Sequence, residues 1–241
     1  AQRRGGKGIM GMATKEEDYI EQVVSVHSHS TVMMFTNTGK VQCIRGFQIP
    51  EASRTAKGTN VVNLLQLVEG EKITSMIAVT DFAEGEYLVM VTRNGVIKRV
   101  AVKEFEYQRR GGKIAVDLDE GDSLDFVVKT GGEDEVILAS HNGQAIRFKE
   151  DQARVMGRGA RGVRGMTLAD GDYITGAAVV REDAMLLSIT ENGYGKRTPI
   201  EEYLRGEGDE PQKRGGSGLK NYNITEKTGK VVAAKVVTGE E

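Results

Sequence analysis

YLVMVTRNG, at residues 87–95, is a run of apolar and β-branched residues that ends in an Asn-Gly pair. An Asn-Gly pair between two such runs is the strongest short-range sequence signal for a β-hairpin. Three further runs end in a turn that combines Asn and Gly: TVMMFTNTGK at 31–40, EVILASHNG at 135–143 and AMLLSITENG at 184–193. The four turn glycines, Gly39, Gly95, Gly143 and Gly193, lie 56, 48 and 50 residues apart. This spacing indicates an internal repeat of about fifty residues.

Each hairpin is followed by further elements in the same order. A basic, glycine-containing loop comes first, then a third strand such as IAVDL at 114–118, an acidic turn, and a fourth strand such as ITSMIAV at 73–79 or YITGAAVV at 173–180. The basic loops are EASRTAKG at 51–58, QRRGGK at 108–113, MGRGARGVRG at 156–165 and QKRGGSG at 212–218, and QRRGGKG at 2–8 is a fifth copy. The acidic turns are KEED at 15–18, EGE at 69–71, DEGD at 119–122, DGD at 170–172 and EKTG at 226–229.

This order of elements predicts an all-β fold. One four-stranded sheet cannot bury both of its faces alone, so repeated four-stranded sheets favour radially arranged blades, as in a propeller. We interpret the chain as a single domain over 1–241, with blade units at 31–80, 81–131, 132–181 and 182–241 and the second half of a further unit at 1–30. The chain begins with Ala1 rather than Met, which favours an origin inside a longer protein. Sheet edges left open by such a cut would predict some self-association.

Composition and isolated motifs exclude several classes of function. With 39% hydrophobic and 28% charged residues and no long apolar run, the chain is typical of a soluble globular protein. The single cysteine, Cys43, cannot form an internal disulfide, which fits a reducing cytosol. His27 and His29 lack a third ligand, and the acidic turns lack the ligand spacing of an EF-hand, so we predict no metal site. We expect His141 to be solvated, and we predict no catalytic residue, since Tyr194 belongs to a hairpin.

A formal net charge of −2 by itself argues against a nucleic-acid-binding protein. The repeat, however, places basic residues at one phase of each unit, so we expect them along one rim, with the acidic turns elsewhere. Evenly spaced cationic loops match the phosphates of a long polyanion, and duplex DNA fits best. Base readout and single-strand stacking are not favoured, because no recognition helix is predicted and only 5% of residues are aromatic. The basic residues are Arg3, Arg4, Lys7, Arg54, Lys57, Arg109, Arg110, Lys113, Arg154, Arg158, Arg161, Arg164, Lys213 and Arg214.

The glycines of these loops also suit a phosphate ligand. Glycine lets backbone N–H groups approach an anion, and it adopts positive φ without strain. Gly5-Gly6, Gly111-Gly112 and Gly215-Gly216 each lie beside Arg or Lys. One such loop is a weak signal, but recurrence at one repeat phase favours a DNA-binding function.

Gln2-Arg3-Arg4-Gly5-Gly6-Lys7-Gly8 resembles the signature box of the C-terminal, DNA-wrapping domain of DNA gyrase A, part of a bacterial type II topoisomerase. The resemblance implies a β-pinwheel, in which propeller-like blades exchange a strand with their neighbours; about five blade units of an incomplete six-bladed ring would be present. Similar stretches occur along the whole chain: IPEASRTAKG at 49–58, VNLL at 62–65, DEV at 134–136, RFKE at 147–150, VRGMTL at 163–168 and ENGYGKRTP at 191–199.

The resemblance also implies a function. In this family duplex DNA bends and wraps without sequence specificity around a basic rim, which enables gyrase to introduce negative supercoils using ATP. The residues from Gln2 to Gly8 would be the wrapping determinant, and the box-like sequences Gln108 to Lys113 and Gln212 to Gly218 would share that role. The implied partners are double-stranded DNA, the remainder of gyrase A, and gyrase B in an A2B2 heterotetramer, in the bacterial cytoplasm at the nucleoid and with no membrane. We expect the segment itself to be non-catalytic and to hold no cofactor, since other domains would use ATP and Mg.

Three alternatives stay open. The C-terminal domain of topoisomerase IV is closely related, but its box is degraded or absent, so the intact QRRGGKG at 2–8 disfavours it. A protein-interaction propeller would favour apolar or aromatic loops, whereas these loops carry Gly and Arg. A propeller enzyme would need unique His, Asp or Glu residues around a central channel, and the repeat singles out no such set.

Overall fold

The computed structural model describes residues 30–45, 67–107, 112–206 and 210–239. Strands dominate this part of the chain, and the helical segments in it are short 3-10 turns at Val102–Phe105, Glu150–Gln152 and Ile200–Tyr203. The strands are β1 (Thr31–Thr36), β2 (Lys40–Arg45), β3 (Ile73–Val79), β4 (Tyr87–Thr92), β5 (Val96–Ala101), β6 (Lys113–Ile114), β7 (Leu124–Thr130), β8 (Glu135–Ser140), β9 (Gln144–Lys149), β10 (Val163–Arg164), β11 (Ile174–Val179), β12 (Met185–Thr190), β13 (Gly195–Pro199), β14 (Leu219–Lys220) and β15 (Val231–Val237).

The strands form separate antiparallel sheets, which confirms the predicted all-β fold of four-stranded blades. Three sheets have the strand orders β3-β1-β2-β6, β10-β5-β4-β7 and β11-β8-β9-β14. The fourth sheet, β13-β12-β15, has three strands in the described residues. No helix in this part of the chain has the length and apolar character that crossing a membrane requires.

Each predicted Asn/Gly hairpin is present, and its turn glycine has the conformation that a tight turn needs. In the β4–β5 hairpin, Gly95 has φ of +88°, and its N–H donates to the Thr92 carbonyl at 3.1 Å. Residues with side chains rarely adopt this φ, so glycine is favoured there. The register that follows pairs Val91 with Ile97 and Tyr87 with Ala101.

The strand exchange implied by the resemblance is present at three hairpins. The two-residue strands β6, β10 and β14 each lie after a basic loop and pair with β2, β5 and β9, which belong to the hairpin one repeat earlier. The carbonyl of Gly39 accepts hydrogen bonds from the N–H groups of both Ala115 and Val116, at 2.7 and 3.2 Å. Because two successive N–H groups donate to one oxygen, the regular hydrogen bonding between β2 and β6 does not continue beyond this point. The expectation of a longer strand at 114–118 is wrong for this reason, since β6 is Lys113–Ile114.

Neighbouring sheets pack against each other through one edge strand of each sheet. β3 contacts β7, β7 contacts β11, and β11 contacts β15, so these are the inner strands. The hydrophobic core lies between adjacent sheets, where Phe35 of β1 meets Phe105 edge to face, with ring centroids 6.4 Å apart. The exchanged strands β6, β10 and β14 lie at the opposite edge of each sheet, away from the inner strands.

His141 helps to join two sheets, and the expectation that it is solvated is wrong. Its backbone N–H donates to the Tyr173 carbonyl at 2.8 Å, and its carbonyl accepts from the Val231 N–H at 3.0 Å. The imidazole Nδ1 lies 2.6 Å from the Val231 carbonyl oxygen, and the ring stacks on Tyr173 with centroids 4.4 Å apart. The side chain is therefore committed to packing between the third and fourth sheets.

Candidate nucleic-acid interface

The basic loops that the structure describes run along the outer edges of the sheets. We call the surface formed by Lys113, residues 154–164 and residues 212–220 the outer rim, because each part leads into or contains an exchanged strand. The remaining predicted DNA-binding residues, Gln2, Arg3, Arg4, Gly5, Gly6, Lys7, Gly8, Arg54, Lys57, Arg109 and Arg110, lie outside the described residues.

One glycine fixes each rim loop against the hairpin one repeat earlier. Gly112, Gly162 and Gly218 precede β6, β10 and β14, and all have positive φ, between +80° and +101°. A Cβ on Gly112 would lie 2.8 Å from the Val41 carbonyl oxygen, and a Cβ on either of the others would collide with the carbonyl of Ile97 or Ala145. These glycines therefore serve strand docking, so approach to phosphate is not needed to explain Gly112.

This docking also sets which loop positions are equivalent. Counted from the docking glycine, Lys113 matches Val163 and Leu219, so it belongs to an exchanged strand rather than to a loop. In the sequence, Gln108 lies four residues before Gly112, whereas Gln212 lies six residues before Gly218. The box-like sequence at 108–113 is therefore out of register with the one at 212–218.

The loop at 154–164 carries its four arginines in different environments. Arg154 and Arg164 are exposed, and their side chains make no hydrogen bond or ion pair with residues in the described ranges. Arg158 is half-buried. The Arg161 guanidinium pairs with Asp117 at 3.3 Å and approaches Asp119 at 3.6 Å. The expectation that the acidic turns lie apart from the basic loops is thus wrong at Asp119.

A buried lysine binds the backbone of the loop at 154–164. Lys98 of β5 is fully buried, and its Nζ donates to the carbonyl of Ala115 at 2.8 Å and to the carbonyl of Arg158. Burial, together with the nearby Arg158 guanidinium, lowers the pKa of Lys98 to about 8, although the Asp117 carboxylate opposes the shift. The ammonium thus links the segment after β6 to the loop before β10.

The loop at 212–218 is joined to the preceding one. The Gly215 N–H donates to the Gly165 carbonyl at 2.8 Å, and the Thr167 hydroxyl donates to the Gly215 carbonyl at 2.6 Å. Lys213 is exposed, whereas Arg214 binds carbonyl groups of the protein. Consecutive loops therefore touch, and the rim is continuous from one sheet to the next.

Sequence reasoning missed two exposed lysines at the outer edges. Lys220 lies in β14 at the position that Arg164 occupies in β10, two residues after the docking glycine. Its phase in the repeat could have identified it. Lys196 lies in β13, the outer strand of the fourth sheet. It stands outside the basic loops, so the repeat of those loops gives no signal for it.

The described residues offer no support for a metal site or a reactive thiol. No group of three or more His, Cys, Asp or Glu side chains that could hold a metal occurs within them. Burial raises the pKa of the Cys43 thiol to about 12, although Lys113 and Arg45 oppose the shift. A thiol of this kind stays protonated near neutral pH and is a poor nucleophile.

Comparison with known proteins identifies a family. The model of the DNA gyrase C-terminal domain, described as a beta-propeller, matches residues 1–27, 30–80, 86–130, 134–181 and 184–238. The DNA gyrase A protein of Staphylococcus aureus strain NCTC 8325 / PS 47 is 43% identical over 244 residues, which cover 100% of this chain. The chain spans 27% of the length of that relative, in its C-terminal part.

Solved structures show the same architecture. The C-terminal domain of a DNA topoisomerase IV superposes with a TM-score of 0.77 at 26% identity, over 88% of this chain and 64% of that one. A DNA gyrase A C-terminal domain gives a TM-score of 0.69 at 30% identity, over 88% and 67%. The C-terminal domain of Escherichia coli ParC, at 16% identity and a TM-score of 0.63 over 88% and 82%, shows the fold alone.

Proposed function

The chain belongs to the family of DNA gyrase C-terminal domains, and from that premise we propose that it binds duplex DNA without sequence specificity and bends it around the outer rim. In the whole enzyme this wrap would enable the introduction of negative supercoils at the expense of ATP. ATP and Mg would be used by other domains, so this segment needs no cofactor. Its protein partners would be the remainder of gyrase A, together with gyrase B, in an A2B2 assembly in the bacterial cytoplasm.

The continuous outer rim is the observation that carries this proposal. Its loops recur at the same edge of successive sheets, and the loop at 212–218 is hydrogen-bonded to the segment that follows 154–164, so we infer a curved path for their exposed cations. A curved series of cations matches the evenly spaced phosphates of a bent duplex. Bending costs on the order of 1 to 6 kcal/mol over about 20 to 30 base pairs, so a bend needs contacts repeated along its length.

Phosphate contacts of this kind make binding strongly dependent on salt. If five loops neutralised about two phosphates each, log K would fall against log salt with a slope of about −9. Lys and Arg contacts to phosphate carry no sequence information, so affinity would vary little between sequences of equal length.

The topoisomerase IV equivalent is the second candidate, favoured by the TM-score of 0.77 to that domain. Sequence supports the gyrase assignment, because the identity is 43% to gyrase A of S. aureus and 26% to the topoisomerase IV domain. Both candidates bind DNA along a rim in this proposal, and they differ in whether residues 2–8 drive a wrap.

A mobility-shift titration over DNA length and salt tests the proposal, with bending followed by end-labelled FRET. The rim variant combines Arg154→Ala, Arg164→Ala and Lys213→Ala, and we expect it to lose about 100-fold in affinity and about 2.7 in salt slope. The matched control combines Lys72→Ala, Lys129→Ala and Lys230→Ala, which removes equal charge from exposed residues away from the rim. Equal losses in the two variants would contradict binding at the rim.

A third variant separates the two candidates. Arg3→Ala, Arg4→Ala and Lys7→Ala together remove the charges of the box at residues 2–8. A gyrase-type wrap predicts loss of FRET bending with this variant, on top of weaker binding. Unchanged bending would favour the topoisomerase IV type of domain.

A further inference from the structure

We propose that Arg214 is a positioning residue, which fastens the loop at 212–218 to the preceding repeat and leaves Lys213 as the side chain that contacts phosphate. This inference rests on the proposed DNA-binding function. It assigns different roles to the lysine and the arginine of a Gln-Lys-Arg-Gly-Gly sequence, which the sequence alone does not distinguish.

Three N–H donors of Arg214 bind neutral groups of the protein. Its backbone N–H donates to Gln152 Oε1 at 2.6 Å, and its Nε donates to the Gln152 carbonyl at 3.1 Å. Its Nη1 donates to the Arg164 carbonyl at 2.6 Å. Both acceptor residues precede this loop by more than one strand, in the repeat that ends with β11. These bonds hold the guanidinium against the preceding repeat, and they leave Arg214 half-buried whereas Lys213 is exposed.

Gln212 is fixed on the other side of Lys213. Only 5% of Gln212 is exposed. Its backbone N–H donates to the Arg147 carbonyl at 2.8 Å, and its Nε2 donates to the Tyr203 carbonyl at 3.0 Å. The two neighbours of Lys213 are thus bound to the protein, whereas Lys213 is exposed and makes no side-chain hydrogen bond within the described residues.

The loop at 156–162 uses the same backbone anchor. Met156, at the position of Gln212, donates its N–H to the Arg99 carbonyl at 2.8 Å, as Gln212 does to Arg147. Arg158 stands at the position of Arg214, four residues before the docking glycine, and it is also half-buried. Arginine is therefore half-buried at this position in both loops, whereas Lys213 is exposed.

Three single variants and one double variant test these two roles: Lys213→Ala, Arg214→Ala, Arg214→Lys and Lys213→Ala/Arg214→Ala. Thermal unfolding and DNA affinity over a salt series are measured for each. Lys213→Ala is expected to weaken binding about 5-fold and to reduce the salt slope by about 0.9, with Tm unchanged. Arg214→Ala is expected to lower Tm and to weaken binding by a similar factor, because Lys213 is no longer held in place.

The remaining variants distinguish positioning from direct contact. Arg214→Lys keeps the charge but cannot form the fork, so we expect it to lose Tm and affinity as Arg214→Ala does. Because Arg214 acts through Lys213, the double variant should bind no more weakly than Arg214→Ala alone. Full rescue by Arg214→Lys, or a double variant whose salt slope falls by about 1.8, would overturn the proposal.

The same measurements separate this inference from the function on which it rests. If the wild-type chain failed to bind DNA at low salt, the proposed function and the role of Lys213 would both be overturned. An unchanged Tm in Arg214→Ala, with DNA binding intact in the wild type, would overturn the fastening role alone.

Discussion

Lys98 is a buried base whose protonation changes within an accessible pH range. Its pKa of about 8 lies below the ordinary 10.5, because burial and the Arg158 guanidinium disfavour the charged form. Between these two values the unfolded chain holds a proton that the folded chain has released, so stability contributed by this residue rises with pH. The carbonyls of Ala115 and Arg158 can still accept hydrogen bonds from a neutral amine.

We predict that the free energy of unfolding of the wild type, relative to that of Lys98→Ile, increases by on the order of 2 kcal/mol between pH 7.5 and 10.5. Isoleucine is chosen for the substitution because Ile146 occupies the equivalent position in β9 and is fully buried there. Urea unfolding of both proteins at several pH values measures the difference. Comparison with the variant is needed because the raised pKa values of Cys43 and Tyr203 lower stability in the same range.

A difference that stays constant with pH would show that Lys98 remains charged in the folded protein. The two carbonyl contacts would then hold an ammonium, and the fold would depend on a buried charge.

Among the elements, the two-residue exchanged strands depend most on single backbone positions. Gly162 has φ of +101° and packs against the Ile97 carbonyl, so alanine there strains the backbone and displaces β10. Gly159, in the same loop, has no atom within contact distance of an added Cβ and no positive φ. The two positions form a matched pair within one loop.

We expect Gly162→Ala to lower the free energy of unfolding by more than about 1 kcal/mol, and Gly159→Ala to leave it unchanged or slightly higher. Chemical denaturation measures both. We also expect weaker DNA binding in Gly162→Ala alone, because the loop that carries Arg154 loses its anchor. Equal effects of the two substitutions would mean that the exchanged strand contributes little to stability.

Sequence could predict those elements whose pattern is local. ITSMIAV at 73–79 coincides with β3, because a seven-residue strand has enough apolar residues to be recognised. The ends of the strand predicted at IAVDL, 114–118, could not be placed correctly, because β6 is defined by its pairing with a hairpin of another repeat. The two basic loops that the structure describes in full, at 156–165 and 212–218, could be predicted from their charge and their position in the repeat. That Arg161 pairs with Asp117 and Arg214 binds carbonyl groups depends on distant residues, so no local pattern marks it.

For the whole molecule, the net charge of −2 does not by itself say how the charged residues are used. Acidic residues are used at the hairpin turns, where Asp122 accepts hydrogen bonds from the N–H groups of Asn94 and Ser123 at 3.0 and 2.8 Å. Asp172 makes the same pair of contacts to Asn142 and Tyr173, both at 2.8 Å. Carboxylates thus stabilise the turns, and a nearly neutral chain that uses its acidic residues in this way could present the basic rim proposed above to DNA.

The fourth sheet has the most exposed edge among the described residues. β2, β5 and β9 each receive an exchanged strand, whereas β13 receives none from the described residues. Lys196 and Arg197 lie on β13, which ends at Pro199, and charge and proline are features that limit pairing at sheet edges. Among the described residues this edge has no further strand beside it, and its charges and proline oppose strong self-association.

We therefore predict that outward amide hydrogens of β13 exchange with solvent at close to the unprotected rate, whereas those of β5 and β9 are protected. Hydrogen exchange followed by NMR measures this residue by residue. Light scattering of the variant Lys196→Thr/Arg197→Thr adds a second measurement, since removing both charges should cause association at lower concentration than in the wild type. Protection of β13 equal to that of β9 in a monomeric sample would contradict the open edge, because another segment would then have to cover it.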